Sequence, residues 1–305
     1  MFFFRIVAAV FLVLTSTAQA SPLKVLKVTE GVFAIVGETT QRSKTNFGNN
    51  ATFGAIITKE GVVLVDPGGS AKGAAMIETA LRSVTQKPVV AVINTGGQDH
   101  RWLGNGYFKA KGARIIASAE AVVDQQERAN DQLTGLDFLI GKEGLAGTEP
   151  VYAEETFEEG LDLSIGGVEI QIRHPGTAHT PGDSFVWLPE SGVVFSGDIV
   201  YLERMIGIFS FSDSASWVKA FKAVAALKPK VVVPGHGAPA SLAAARAQTL
   251  DYLTDLRAKV RAVIEQGGAI EDGIAVDQSA FSFLANFSTL SRRNAQQVFM
   301  ELEFE

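Results

Sequence analysis

Four short runs of β-branched and apolar residues, VVLVD (62–66), VVAVIN (89–94), VVF (193–195) and VVVPG (231–235), lead straight into loops rich in glycine. Runs so short and so apolar predict buried strands, and a glycine-rich exit predicts a sharp turn at each strand end. Most of the reactive side chains sit in these exits or in one further glycine-containing loop. Asp99 and His100 lie in TGGQDHR, His179 and Asp183 in GTAHTPGD, Asp198 in FSGD and His236 in PGHG. Loops leaving one edge of a sheet converge in space, so groups some 140 residues apart are expected to share one site.

The remaining elements follow from periodicity. Strands are expected at 23–28, 32–36, 51–57, 61–66, 89–93, 114–117, 151–157, 161–165, 168–173, 184–188, 193–195 and 231–233. Helices are expected at 71–83, 105–110, 119–133, 216–227, 240–266 and 295–302. Residues 134–150 carry several glycines and no clear period, which predicts a surface loop. Both halves of the chain run strands then helices, with no proline-rich linker between them. That order predicts one domain of two packed sheets with helices outside.

Composition narrows the chemistry. The chain has 305 residues, 47% hydrophobic, with a formal net charge of −6 and no cysteine. Its first twenty residues, MFFFRIVAAVFLVLTSTAQA, join one early arginine, an apolar stretch and an Ala-Gln-Ala ending. This is the pattern of a signal peptide cleaved after Ala20, so residues 21–305 are expected to form the mature domain in the periplasm or outside the cell. The apolar stretch is short for a membrane span, so no stable insertion is expected after cleavage. An acidic mature chain argues against nucleic acid as a partner and leaves a small-molecule substrate. Without cysteine, a metal site must use histidine and carboxylate, and there are four histidines: His100, His174, His179 and His236. Imidazole and carboxylate oxygen suit zinc, with iron or manganese as alternatives.

The fragments VVLVDPG, VINT, GTAHTPGD, VVFSGD and VVVPGHG, in this order and spacing, resemble the metallo-β-lactamase fold superfamily over most of the mature chain. The resemblance implies a four-layer αββα sandwich with a metal site at the rim between its sheets. It implies that His179 is a zinc ligand, that Asp198 bridges two metals, that His236 serves the second metal and that Asp66 is a structural carboxylate beside them.

One loop departs from the pattern. Where the family has THxHxDHxGGN, this chain has TGGQDHRWLGN. Aligned without gaps, the two leading histidines become Gly96 and Gln98, the aspartate becomes His100 and the next histidine becomes Arg101. A paired deletion and insertion would instead keep Asp99-His100 as the family's Asp-His pair. The ungapped register is the simpler. The metal ligands expected are therefore His100, His179, Asp198 and His236, holding one ion. Asp99 is expected to orient or deprotonate the attacking water, and Arg101 to hold a substrate anion or the oxyanion. The function expected is an exported hydrolase in which metal-bound hydroxide attacks an ester, lactone, thioester or amide carbonyl. The alternative is a non-catalytic periplasmic binding or scaffold protein with a degenerate metal site.

Overall fold

The computed structural model describes residues 23–305, so the expected signal segment lies outside the described residues. Twelve strands form two sheets. The first holds β1 (Lys24–Thr29), β2 (Val32–Val36), β3 (Thr52–Ile57), β4 (Val62–Val65), β5 (Val89–Ile93), β6 (Arg114–Ser118) and β7 (Glu155–Phe157), side by side in chain order. Its first four strands make an antiparallel meander, and β4 to β7 run parallel. The second holds β8 (Gly160–Ile165), β9 (Val168–Arg173), β10 (Phe185–Leu188), β11 (Val193–Phe195) and β12 (Val231–Val233), antiparallel except for the parallel β11–β12 pair.

Three buried clusters define the layers. Ile56, Val63 and Ile93 of the first sheet meet Ile170, Val186 and Phe195 of the second, which joins the sheets face to face. On the outer face of the first sheet, Phe53, Leu64 and Ile115 pack against α1 (Ala71–Leu81) and α2 (Asn105–Lys109) through Ile77 and Phe108. On the outer face of the second, Phe185, Val194 and Val232 pack against Trp217 and Phe221 of α4 (Ser214–Ala226). Successive residues of a strand alternate faces, so Val63 and Leu64 serve different clusters. The result is the expected αββα sandwich.

The main correction lies between the halves. The helix α3 (Ala119–Leu145) runs through most of the stretch expected to be a loop, interrupted at Gly141 (φ 76°). Ala129, Leu136 and Ile140 bury themselves against Trp102 and Leu103, a small core of their own. That stripe outweighs the glycines that blur the period, because tertiary burial supplies most of a helix's stability. Smaller differences concern boundaries. The strand expected at 151–157 shortens to β7. The helix expected at 240–266 divides into α5 (Leu242–Ala245), wider π-type turns at Arg246–Leu250 and α6 (Asp251–Glu265). A short α7 (Ile270–Ile274) follows, and α8 (Phe287–Leu302) begins earlier than expected. Among the described residues no helix is long and apolar enough to cross a membrane.

Candidate metal centre

The exits of β4, β5, β11 and β12 meet at one rim. Asp66, just past β4, adopts the left-handed conformation (φ 65°), and its carboxylate accepts from the Thr95 backbone N–H at 2.7 Å and the Thr95 hydroxyl. This pins the β5 exit to the β4 exit. Past Thr95 the chain makes a single 3₁₀ turn over Asp99–Arg101, closed by the Arg101 N–H on the Gln98 carbonyl at 2.7 Å. Three residues per turn send consecutive side chains in three directions. Asp99 turns to Arg42, His100 to Asp198 from the cavity, and Arg101 into the protein, where it reaches both Asp198 and Asp66.

Arg101 is 0% exposed. Its Nε and Nη2 grip Asp198 at 3.1 and 2.7 Å, Nη1 reaches Asp66 at 2.8 Å, and the carbonyls of Thr52 and Gly235 accept as well. Burial works against its charge, and the carboxylates of Asp198 and Asp66 overcome that, so the proton is held more tightly than in an ordinary arginine. A guanidinium enclosed and engaged on every nitrogen cannot meet a substrate, which corrects the role expected for it.

Asp198 stands in a 3₁₀ turn at Gly197–Ile199 after β11. His100 Nε2 lies 3.2 Å from its Oδ2, and His236 Nε2 lies 3.3 Å from its Oδ1. The donor atoms of His100, Asp198 and His236 all fall within 4.8 Å of one another. Burial would raise the Asp198 carboxyl, but Arg101 and then His100 hold it well below the usual carboxylate range, so it is an anion. His236 is placed by paired backbone bonds, Leu202 N–H to its carbonyl and Gly235 N–H to the Val200 carbonyl, both at 2.9 Å, and Tyr201 stacks on its ring.

The donor set fits a cation. His236 Nδ1 donates to the Asn50 carbonyl at 2.7 Å, and burial pushes the ring's pKa well below its ordinary value. The ring is neutral, so Nε2 carries a lone pair, and it faces a carboxylate oxygen that also can only accept. His100 repeats the arrangement. Its Nδ1 lies 3.0 Å from Asp99 Oδ1 and 3.0 Å from Arg42 Nη2. The donor atoms of His100, Asp198 and His236 converge from three strand exits, and two imidazoles with one carboxylate are a donor set that fits a metal ion.

His179 borders the same cavity but stands outside that triad. Its Nδ1 donates to the Gly207 carbonyl at 2.9 Å, and Tyr201, Phe209, Phe211 and Trp217 surround the ring. Burial lowers its pKa to about 4, so it is neutral with Nε2 free. His174 is apart, between the Asp183 carbonyl and Glu120. Asp99 is also turned from its expected work. Its carboxylate is taken by Arg42 (2.6 Å from Nε) and by His100, and despite burial Arg42 and His100 keep it far too acidic for a general base.

Reading the sequence missed Arg42, Tyr201 and Arg204, which line the cavity. Arg42 stands in a polar segment between β2 and β3 without period. Arg204 is a lone charge with Glu203 in the apolar run IVYLERMIGIF, and that isolation was its only signal.

Comparison with known proteins places these features. The family model described as Metallo-beta-lactamase superfamily matches residues 47–236. A metallo-beta-lactamase type 2 of Elizabethkingia meningoseptica is 25% identical over 255 residues, 82% of this chain and 92% of that protein. A linear primary-alkylsulfatase of a Pseudomonas strain is 24% identical over 217 residues, 60% of this chain, which spans 40% of that enzyme's length. Among solved structures, a metallo-beta-lactamase from Pontibacter korlensis superposes with TM-score 0.62 at 22% identity, over 76% of this chain and 99% of that one.

Proposed function

The chain belongs to the metallo-β-lactamase superfamily, and on that premise we propose that it is an exported, metal-dependent hydrolase of a small molecule with an ester, lactone, thioester or amide bond. The observation that carries this reading is the convergence of His100, Asp198 and His236, whose donor atoms lie within 4.8 Å of one another, with His236 Nδ1 engaged by the Asn50 carbonyl. These three residues would hold one ion, zinc by the chemistry of the donors, with His179 beside it. When bound, such an ion polarises a carbonyl and lowers the pKa of a water to near neutrality.

The protein's own groups do the rest. Asp99 holds the His100 ring in place from behind, as the Asn50 carbonyl does for His236. Arg101 fixes both oxygens of Asp198 and ties them to Asp66, so it positions a ligand and touches no substrate. The aromatic rings around His179 limit water on that side.

A specific observation also favours the binding-protein reading. The positions where the resemblance calls for two more histidines hold Gly96 and Gln98, and a Cβ on Gly96 would run into the Asp183 carboxylate. Elemental analysis of stripped and reconstituted mature protein, with a panel of ester, lactone, thioester and amide substrates, separates the two. About one metal per chain with turnover supports the hydrolase. Metal uptake with no turnover supports the binding protein, and no uptake of zinc, iron or manganese removes the hydrolase together with its site. N-terminal sequencing of exported protein, expected to start at Ser21, tests the export.

A further inference from the structure

The family model matches up to residue 236, and beyond it the chain continues through α5 to α8. Helix α8 gives Leu290, Ala295, Val298, Phe299 and Leu302 to the apolar layer outside the second sheet. Among these residues stands one amide, Asn294, at 0% exposure. An amide in an apolar layer is unfavourable unless its donors and its acceptor all find partners.

The partners of Asn294 show what it holds. Its Oδ1 accepts from the Ile208 backbone N–H at 2.9 Å, and its Nδ2 donates to the Ile206 carbonyl and to the Tyr252 hydroxyl, both at 2.9 Å. A backbone N–H can only donate and a carbonyl can only accept, so these two groups fix which way round the amide stands. Tyr252 passes its own proton to Gln278 Oε1 at 2.9 Å, and Gln278 Nε2 donates to the Ser291 carbonyl at 2.9 Å. The network closes on α8 itself, with no polar atom of Asn294 left unmet.

Gly207 lies between the two backbone groups that Asn294 takes. Its own carbonyl goes elsewhere, accepting from His179 Nδ1 at 2.9 Å. A side chain at 207 would run into the Phe209 ring, so this close approach needs glycine. The same loop also holds the backbone of His179, because the Ser212 hydroxyl donates to the His179 carbonyl at 2.8 Å. Farther along, Glu301 of α8 accepts from the Ser214 N–H at 3.0 Å. The helix therefore grips the loop at both ends.

We propose that Asn294 is a positioning residue for His179. By holding Ile206 and Ile208 it places the Gly207 carbonyl that keeps the ring's proton on Nδ1. Nε2, which no group among the described residues engages, then stays an acceptor in a ring that lines the cavity. Calling this a contribution to catalysis rests on the hydrolase reading; the placement of the ring does not.

The test reads the tautomer of His179 at neutral pH, from long-range proton–nitrogen correlation spectra of metal-free mature protein labelled with ¹⁵N on histidine. Four histidines keep the spectrum simple, and His179→Gln assigns the resonance. Wild type should show the Nδ1–H form alone. Asn294→Ala and Asn294→Leu should show a mixture with the Nε2–H form. Val298→Ala, a truncation in the same helix that takes none of these hydrogen bonds, should lower stability and keep the wild-type tautomer. An Nε2–H ring in wild type, or an unchanged Nδ1–H ring in a folded Asn294 variant, overturns the proposal. If neither Asn294 variant folds, Tyr252→Phe, which removes only the hydroxyl that the amide rests on, decides by the same criterion. Because the spectra need neither metal nor substrate, failure of the hydrolase reading leaves this result standing, and the reverse also holds.

Discussion

Two neighbouring stretches of the centre are built on opposite principles. At Asp198, His100 and His236 converge on the carboxylate, each ring held from behind by Asp99 or by the Asn50 carbonyl. At Gly96–Gly97, protein atoms fill the space. A Cβ on Gly96 would meet Asp183, and one on Gly97 would run into Asp124, whose carboxylate is clamped by Arg128. One stretch brings donors together for an ion, while the other has no side chain and no space for one. That arrangement is suited to one cation at Asp198, with Arg101 as the carboxylate's fixed positive partner.

The largest way to break this asymmetry is His236→Ala. It removes a ligand outright, so metal affinity should fall by more than the ~100-fold that loss of a supporting hydrogen bond costs. Elemental analysis after dialysis should find essentially no bound metal. Arg101→Met attacks the fixed cation instead. Asp66 and Asp198 would then be buried without their partner, at a cost of about 3–5 kcal/mol in denaturant unfolding of the metal-free protein. An unchanged midpoint would show that the two carboxylates do not depend on Arg101.

Asp99→Asn keeps the shape and removes the anion behind His100. Metal affinity should drop by roughly 10- to 100-fold, read by competition with a chromophoric chelator. The filled side has its own signature in pH. Burial, and then the charge of Asp198, push Asp183 up to about 8. The native state therefore holds a proton there that the unfolded chain releases near its ordinary pKa, so stability should fall as pH rises toward 8. The slope is at most about 1.4 kcal/mol per pH unit, and Asp183→Asn should flatten it in metal-free protein. The smallest effect sharpens the comparison most. Gly96→His with Gln98→His should leave metal stoichiometry near one, because a side chain at position 96 would meet Asp183 and Thr180 before it could reach an ion. A second equivalent of metal would show that donors alone were lacking.

Much of this was legible in one dimension. The strands whose apolar runs stop at glycine appear where periodicity placed them, and the resemblance to the superfamily is matched by the family model over 47–236. The first half of helix α3 was read as 119–133, but its continuation to Leu145 was hidden, since Gly135, Gly141 and Gly144 obscure a stripe that makes sense only once Trp102 and Leu103 are beneath it. The cavity wall was hidden for another reason. Arg42 and Arg204 come from segments 160 residues apart that carry no period, and the carbonyls of Thr39 and Thr40 bring them together.

The sequence by itself determined the donors available: no thiolate, four imidazoles, and carboxylates at strand exits, with glycine and glutamine where two further histidines would stand. Residue types are chemistry, and chemistry needs no coordinates. Only the tertiary structure decided direction. In a 3₁₀ turn consecutive side chains diverge, so the spacing of Asp99, His100 and Arg101 could not tell that His100 and Arg101 reach Asp198 while Asp99 turns to Arg42. That was set by Thr95 anchored on Asp66, which fixes where the turn begins.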